Sequence, residues 1–91
     1  MTNARVQELL ARAVAPSTLR PAGLYTQPAS WGVYRLALPA AAGTRRYRYG
    51  NHPVRQFELE REFGSAKAIA HYTSRALAVE LAALLNAGYS I

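Results

Sequence analysis

The side chains best suited to chemistry in this 91-residue chain are two histidines, His52 and His71, and five glutamates. Imidazole and carboxylate groups serve as general acids and bases and as zinc ligands. Because the chain has no cysteine and no aspartate, a thiolate metal site, a Ser-His-Asp arrangement and an aspartate cage for magnesium or calcium are excluded. Two histidines give too few ligands to predict a zinc site, so we interpret His52 as a turn residue and His71 as a sheet-surface residue.

Motifs for catalysis or cofactor binding are missing from the sequence. The six glycines are scattered at turns and form no phosphate-binding loop. Glu58, Glu60 and Glu62 alternate along the chain, which is more typical of the solvated face of a strand than of paired catalytic carboxylates. We therefore expect a non-enzymatic protein with no catalytic residue, no cofactor and no metal.

Positive charge is concentrated in the middle of the chain. The net charge is +6, of which residues 1–30 contribute +2, residues 31–55 contribute +5 and residues 56–91 contribute −1. The central segment has five arginines and no acidic residue. Such clustering favours a polyanionic partner through Coulomb attraction.

Arginines and tyrosines alternate from Arg46 to Tyr49, a pattern with two interpretations. On an exposed sheet, guanidinium groups bind phosphates while aromatic rings stack on the bases of single-stranded nucleic acid. The predicted contact residues are then Arg35, Arg46, Arg48 and Arg55. The alternative is a structural strand whose tyrosines point into the core, because polar and apolar residues alternate in any half-buried sheet.

Two helices are predicted at the ends of the chain. The first covers residues 3–14, where apolar residues recur at helical spacing after a capping Thr2 or Asn3, and where Glu8 and Arg12 form an i,i+4 pair. The second covers residues 74–87, with Thr73 or Ser74 as its cap. Residues 15–30 are rich in proline and predict an irregular connector.

Strands are predicted over residues 31–38 and 44–50, joined by a loop over residues 39–43, and over residues 66–72. Residues 54–63 are ambiguous. Their composition and the flanking Pro53 and Gly64 favour a helix, whereas their alternation favours a strand. The strand interpretation places Glu58 near Arg46 and Glu62 near Lys67, with apolar residues also paired. We predict a strand.

These elements predict one α+β domain spanning residues 1–91, in which residues 31–72 form the sheet. The N-terminal helix is followed by a four-stranded antiparallel meander, and the C-terminal helix packs on one sheet face. No apolar stretch is long enough to span a membrane. The absence of cysteine fits a cytoplasmic protein.

The C-terminal helix has a second apolar face, formed by Ala76, Val79 and Ala83. Large exposed apolar patches are rare on soluble monomers. The alternative function is therefore a protein-interaction or homodimerisation module that uses this face.

The stretch Tyr-Gly-Asn-His-Pro-Val-Arg at residues 49–55 and the Ala-Leu-Leu-Asn of the last helix resemble small uncharacterised proteins of GC-rich proteobacteria. The resemblance covers roughly residues 31–88. It implies no known activity and no functional residues.

Overall fold

The computed structural model describes residues 3–15, 30–37 and 46–90, and within them the protein is α+β. The elements along the chain are α1 (Ala4–Ala11), β1 (Trp31–Leu36), β2 (Tyr47–Asn51), α2 (Val54–Phe63), β3 (Ala66–Tyr72) and α3 (Arg75–Asn86). The predicted connector over residues 15–30 and the predicted loop over residues 39–43 lie almost wholly outside these ranges. So does Arg45.

The three strands form one antiparallel sheet in the order β2-β1-β3. Both outer strands run antiparallel to β1, so they run parallel to each other and α2 connects them across the sheet. The predicted four-stranded meander is therefore wrong. Its error was to place residues 54–63 inside the sheet, between two strands that in fact flank β1.

Residues 54–63 form helix α2, and the predicted strand fails because its alternation has no buried face. Leu59 is the one buried residue of this fully described helix, while Phe57 is 67% exposed and Val54 is 51% exposed. The helix ends at Gly64, which adopts a φ of +90° that favours glycine. Glu58 pairs with Arg55 one turn earlier at 3.8 Å, as neighbours on a helix do.

Helices cover both faces of the sheet. Strand alternation directs Val33 to the face covered by α1 and α3, whereas Tyr34 and Leu36 point to the face covered by α2. The larger core contains Val6, Leu9, Val33, Ala70, Tyr72, Ala78, Leu81, Ala82 and Leu85. The smaller core contains Tyr34, Leu36 and Leu59.

The helices begin where their capping signals predict, but α1 ends at Ala11, before residue 14 where the sequence predicted its end. The Asn3 side chain accepts hydrogen bonds from the backbone N–H groups of Arg5 and Val6 at 2.7 and 3.3 Å, which confirms the predicted cap of α1. The predicted pair of Glu8 and Arg12 is also present, at 3.5 Å. Ser74 occupies the N-cap position of α3 without making a side-chain capping bond. None of the described helices combines the length and apolarity needed to cross a membrane.

Candidate functional site

Basic side chains from β1, from β3 and from the residue just before β2 meet at the end of the sheet where β1 stops and β2 and β3 begin. Arg35 of β1 lies opposite Lys67 of β3 and opposite Tyr47 of β2. A cavity of about 590 Å³ opens here. Its lining residues are Arg35, Leu36, Ala37, Arg46, Glu60, Ser65, Ala66 and Lys67. Three cationic side chains and one carboxylate therefore face the same space, and we call this region the basic end.

A second cavity, of about 490 Å³, lies beside β2. It is lined by Tyr47, Arg48, Tyr49, Arg55, Val79, Ala82, Ala83 and Asn86, with no acidic residue among them. The four arginines predicted to bind nucleic acid are thus divided between two cavities. Arg35 and Arg46 line the first, and Arg48 and Arg55 line the second. Arg46 immediately precedes β2, and β2 itself lines the second cavity.

The arginines of the second cavity are positioned by packing. The Arg48 guanidinium lies 5.3 Å from the centre of the Phe63 ring, within the range of a cation–π contact. The Arg55 stem lies against Gly50, because a Cβ built on Gly50 would come within 2.4 Å of Arg55 Cγ. This close approach requires a glycine and carries the Arg55 side chain across β2.

The tyrosines of β2 are half-buried against α3 and do not lie on an open face. The predicted structural interpretation of this strand is therefore correct in part. Arg75 approaches Tyr49, with its guanidinium 5.5 Å from the ring centre and a hydrogen bond of 3.2 Å donated to the phenol oxygen. Asn86 both accepts from the N–H of Tyr47 at 2.9 Å and donates to its C=O at 3.0 Å.

The predicted interface on the back of α3 is partly covered. Val79 is half-buried, whereas Ala76 and Ala83 are exposed. Val79 and Ala83 both line the cavity beside β2. The strand therefore covers part of the face that the sequence suggested would be free.

At the opposite end of the sheet, three aromatic side chains converge on a position without a side chain. Gly32 of β1 lies between Gly50 of β2 and His71 of β3. The ring of Tyr34 occupies the space over Gly32, where a Cβ would come within 2.2 Å of the phenol oxygen. This phenol oxygen forms a hydrogen bond of 2.8 Å with His52 Nδ1. We call this region the histidine end.

The two histidines are in contact at the histidine end. The ring centres of His52 and His71 are 4.4 Å apart, and the ring planes are inclined at 78°. His71 is only 8% exposed, so the predicted sheet-surface position is wrong. His52 does lie in the turn after β2, as predicted.

Burial sets the protonation state of this cluster. Desolvation lowers the pKa of His52, and the same effect, with a smaller contribution from the charge of His52, lowers the pKa of His71. Both imidazoles are therefore neutral at pH 7. Burial raises the pKa of Tyr34 to about 12, against the opposing effect of Arg55, so its phenol stays protonated.

Two buried polar atoms at the histidine end have no hydrogen-bond partner among the described residues. They are His71 Nε2 and Ser30 Oγ. Ser30 is 1% exposed, and its carbonyl oxygen accepts a hydrogen bond of 3.2 Å from the N–H of His52. An unsatisfied buried polar group costs about 1–3 kcal/mol, and such exceptions call for a specific explanation.

The sequence contained one signal for this cluster that the prediction did not use. Gly32 interrupts an otherwise bulky strand, and a glycine within a strand often marks the close approach of another group. The partners of Gly32 could not be predicted, because they depend on β1 lying between β2 and β3.

Comparisons with protein-family models, with curated proteins and with solved structures found no match for this chain.

Proposed function

We propose that this protein binds single-stranded nucleic acid along β2. The observation that supports the proposal best is the position of the two cavities. Each is lined by two of the four predicted arginines, and together they adjoin the segment from Arg46, which precedes β2, to Tyr49 within it. A flexible polyanion following β2 would meet cationic groups in both cavities, whereas a small anion would occupy one of them.

The balance of charge in the cavities supports the same proposal. Lys67 joins Arg35 and Arg46 in the first cavity, so three cationic groups face one carboxylate, that of Glu60. Arginine is suited to phosphate because its planar fork donates two parallel hydrogen bonds. Arg35 and Lys67 are both exposed, so phosphate contacts there require little desolvation.

Nucleic-acid binding is also favoured by the helical state of residues 54–63, compared with the strand that the sequence predicted. A strand there would have placed Glu58 directly beside Arg46 and reduced the positive field available to phosphate. In the helix, Glu58 lies near Arg55 instead. Glu60 is the acidic group that faces the first cavity.

Fluorescence anisotropy of a labelled single-stranded oligonucleotide, measured over a range of salt concentrations, tests the proposal. Each phosphate contact to a single strand adds about 0.7 to the slope of log K against log salt. Replacing Arg35 and Arg46 together by glutamine should weaken binding at least tenfold at low salt, and should reduce the slope by about 1.4.

A matched control removes the same charge elsewhere. Arg12 and Arg61 are exposed residues on α1 and α2, and neither lines the two cavities. The variant Arg12→Gln with Arg61→Gln should keep most of the wild-type affinity. Equal losses in the two variants would show that net charge alone attracts the oligonucleotide, and absence of binding at low salt would reject the proposal.

Homodimerisation through α3 is the alternative function. Ala76 and Ala83 are exposed on that helix, and small side chains allow the close approach of a second helix. Light scattering of the purified protein distinguishes the two. A dimer that is lost on replacing Ala83 by arginine, together with a failure to bind oligonucleotide, would favour the interaction module.

A further inference from the structure

We propose that the outer edge of β2 binds an extended acidic peptide of another protein, which adds a strand to the sheet. The inference goes beyond nucleic-acid binding, because it concerns the backbone of β2 and a partner of different chemistry. The cavity beside β2 has a volume of about 490 Å³, within the roughly 300–1,000 Å³ of ligand sites.

The lining of this cavity places it beyond the edge of the sheet. Arg48 lies opposite Tyr34 and contacts Phe63 of α2, so its side chain is on the α2 face. Tyr47 and Tyr49 pack against the larger core, on the α3 face. Because a sheet separates its two faces, a cavity lined from both lies beside the outer strand, β2.

The backbone of β2 directs polar groups toward this edge. The N–H of Leu36 donates to the C=O of Arg46 at 2.9 Å, and the N–H of His52 donates to the C=O of Ser30 at 3.2 Å. Hydrogen bonding to the neighbour alternates along an antiparallel pair. The residues of β2 whose N–H and C=O groups point away from β1 are therefore Tyr47, Tyr49 and Asn51.

Asn86 shows how a partner can be held at this edge. Its side-chain amide accepts from the N–H of Tyr47 at 2.9 Å and donates to the C=O of the same residue at 3.0 Å. A neighbouring strand would make the same two hydrogen bonds. The backbone of Tyr49, the next outward residue, has no such partner among the described residues. It therefore offers a donor and an acceptor to an added strand.

The side chains around the edge determine which peptide fits. Successive residues of an added strand point alternately to the two faces of the sheet. On the α2 face they meet Arg48 and Arg55, and on the α3 face they meet the small apolar side chains of Val79, Ala82 and Ala83. Since arginine pairs well with carboxylate, acidic residues that alternate with aliphatic ones fit both faces.

The partner is a different protein rather than a second copy of this chain. All five glutamates of the chain lie in helices, and the chain has no aspartate. A second copy therefore has no acidic strand to offer. Pairing the β2 edges of two copies would also bring their arginines together, and like charges on adjacent strands are destabilising.

A short amide-capped peptide that alternates glutamate and valine tests the proposal on the unaltered protein, with hydrogen exchange of the backbone amides followed by NMR. Saturating peptide should slow exchange of the Tyr49 N–H at least tenfold, because this group gains a strand partner. The N–H of Tyr47 should change little, since it is already bonded to Asn86. Absence of peptide binding, or binding that leaves exchange at Tyr49 unchanged, would overturn the proposal.

Two altered peptides separate strand addition from charge attraction. One has glutamine in place of glutamate, and the other carries N-methyl groups on the backbone nitrogens that would face β2. Calorimetry should show both to bind at least tenfold more weakly than the original peptide. Full affinity of the N-methylated peptide would exclude strand addition, and full affinity of the glutamine peptide would exclude the recognition of acidic residues.

Substitutions in the protein provide a further measurement. Arg48→Gln with Arg55→Gln should weaken peptide binding at least tenfold. The control is Arg12→Gln with Arg61→Gln, which removes the same charge from exposed positions outside the cavity and should keep the affinity. Equal losses in the two folded variants would contradict the proposal.

Oligonucleotide binding is measured separately, so that the two proposals can fail independently. A protein that binds the peptide but no oligonucleotide would reject nucleic-acid binding alone. A protein that binds oligonucleotide but no peptide would reject strand addition alone.

Discussion

The polar side chains at the two ends of the sheet differ in burial and in charge. At the histidine end, Tyr34 and His71 are buried beside a glycine and none of the contacting rings carries a charge at pH 7. At the basic end, Arg35 and Lys67 are charged, exposed and arranged around an open cavity. The same three strands supply both ends, so the difference lies in burial and side-chain size rather than in the fold.

This difference separates stability from binding. The stability of a protein depends strongly on packing within a buried polar cluster, because a displaced group loses its hydrogen bond and remains buried without a partner. An exposed cluster of like charges contributes little to folding and leaves its charge available to a partner. Substitutions at the histidine end should therefore lower stability, and substitutions at the basic end should lower affinity.

The largest effect on stability is expected for Gly32→Ala. The new Cβ would lie 2.2 Å from the phenol oxygen of Tyr34 and 2.4 Å from its ring, and the buried ring cannot move aside freely. Overpacking of this kind costs about 1–3 kcal/mol. Urea denaturation measures it. Oligonucleotide binding by the folded fraction should be retained.

Gly50→Ala is the matched control for this substitution. Its Cβ would also meet a neighbour at 2.4 Å, the Cγ of Arg55, and the Cβ of Arg55 at 2.7 Å. Arg55 belongs to α2, which buries only Leu59 and can shift at a lower cost than the fully buried ring of Tyr34. We expect a smaller loss of stability than for Gly32→Ala. If Gly50→Ala lowers the stability as much as Gly32→Ala does, rigid packing at the histidine end does not explain the effect of Gly32→Ala.

A smaller effect is expected for Tyr34→Phe, which removes the hydrogen bond to His52 and little volume. The free energy of unfolding should fall by about 1 kcal/mol. Thermal and urea unfolding would both report the loss. A variant as stable as the wild type would show that the contact of 2.8 Å does not contribute to folding.

The ion pair between α1 and α3 tests whether the exposure or the charge of a polar side chain determines how much its substitution lowers stability. The Arg5 guanidinium donates to both carboxylate oxygens of Glu80, at 2.5 and 2.8 Å, and this hydrogen bonding lowers the pKa of Glu80 below its usual range. The pair therefore contributes stability above the ordinary carboxylate pKa, and the contribution is lost as the pH falls and Glu80 is protonated.

Glu80→Gln should accordingly cause a loss of stability at pH 7 that is small, because the pair is partly exposed and screened by solvent, and that diminishes as the pH falls below the ordinary carboxylate pKa. Urea denaturation of both proteins at neutral pH and at successively lower pH values checks this. Glu62→Gln makes the same chemical change at an exposed position of α2 and serves as the control. A loss independent of pH would exclude the ion pair as its cause.

Much of the secondary structure could be predicted from local signals, and the histidine end could not. The cap at Asn3 and the i,i+4 pair of Glu8 and Arg12 are properties of neighbouring residues, and each is present in the structure. Helix α2 was missed because it buries only Leu59, so the usual apolar stripe is absent. Once α2 was misassigned, β3 lost its true partner and His71 could not be placed beside His52.

The smallest effect is expected at the basic end, and its sign is opposite. Arg35 and Lys67 lie directly opposite each other on adjacent strands, and like charges in cross-strand pairs are destabilising. Lys67→Gln should therefore raise the free energy of unfolding by about 0.2–0.5 kcal/mol, while weakening oligonucleotide binding.

The gain in stability should shrink in high salt, since screening already removes the repulsion. Urea denaturation at two salt concentrations measures it, with Arg61→Gln on α2 as the control for the loss of one positive charge. If Lys67→Gln instead lowers the free energy of unfolding, Lys67 stabilises the sheet. The charges of the basic end would then not reduce the stability of the fold.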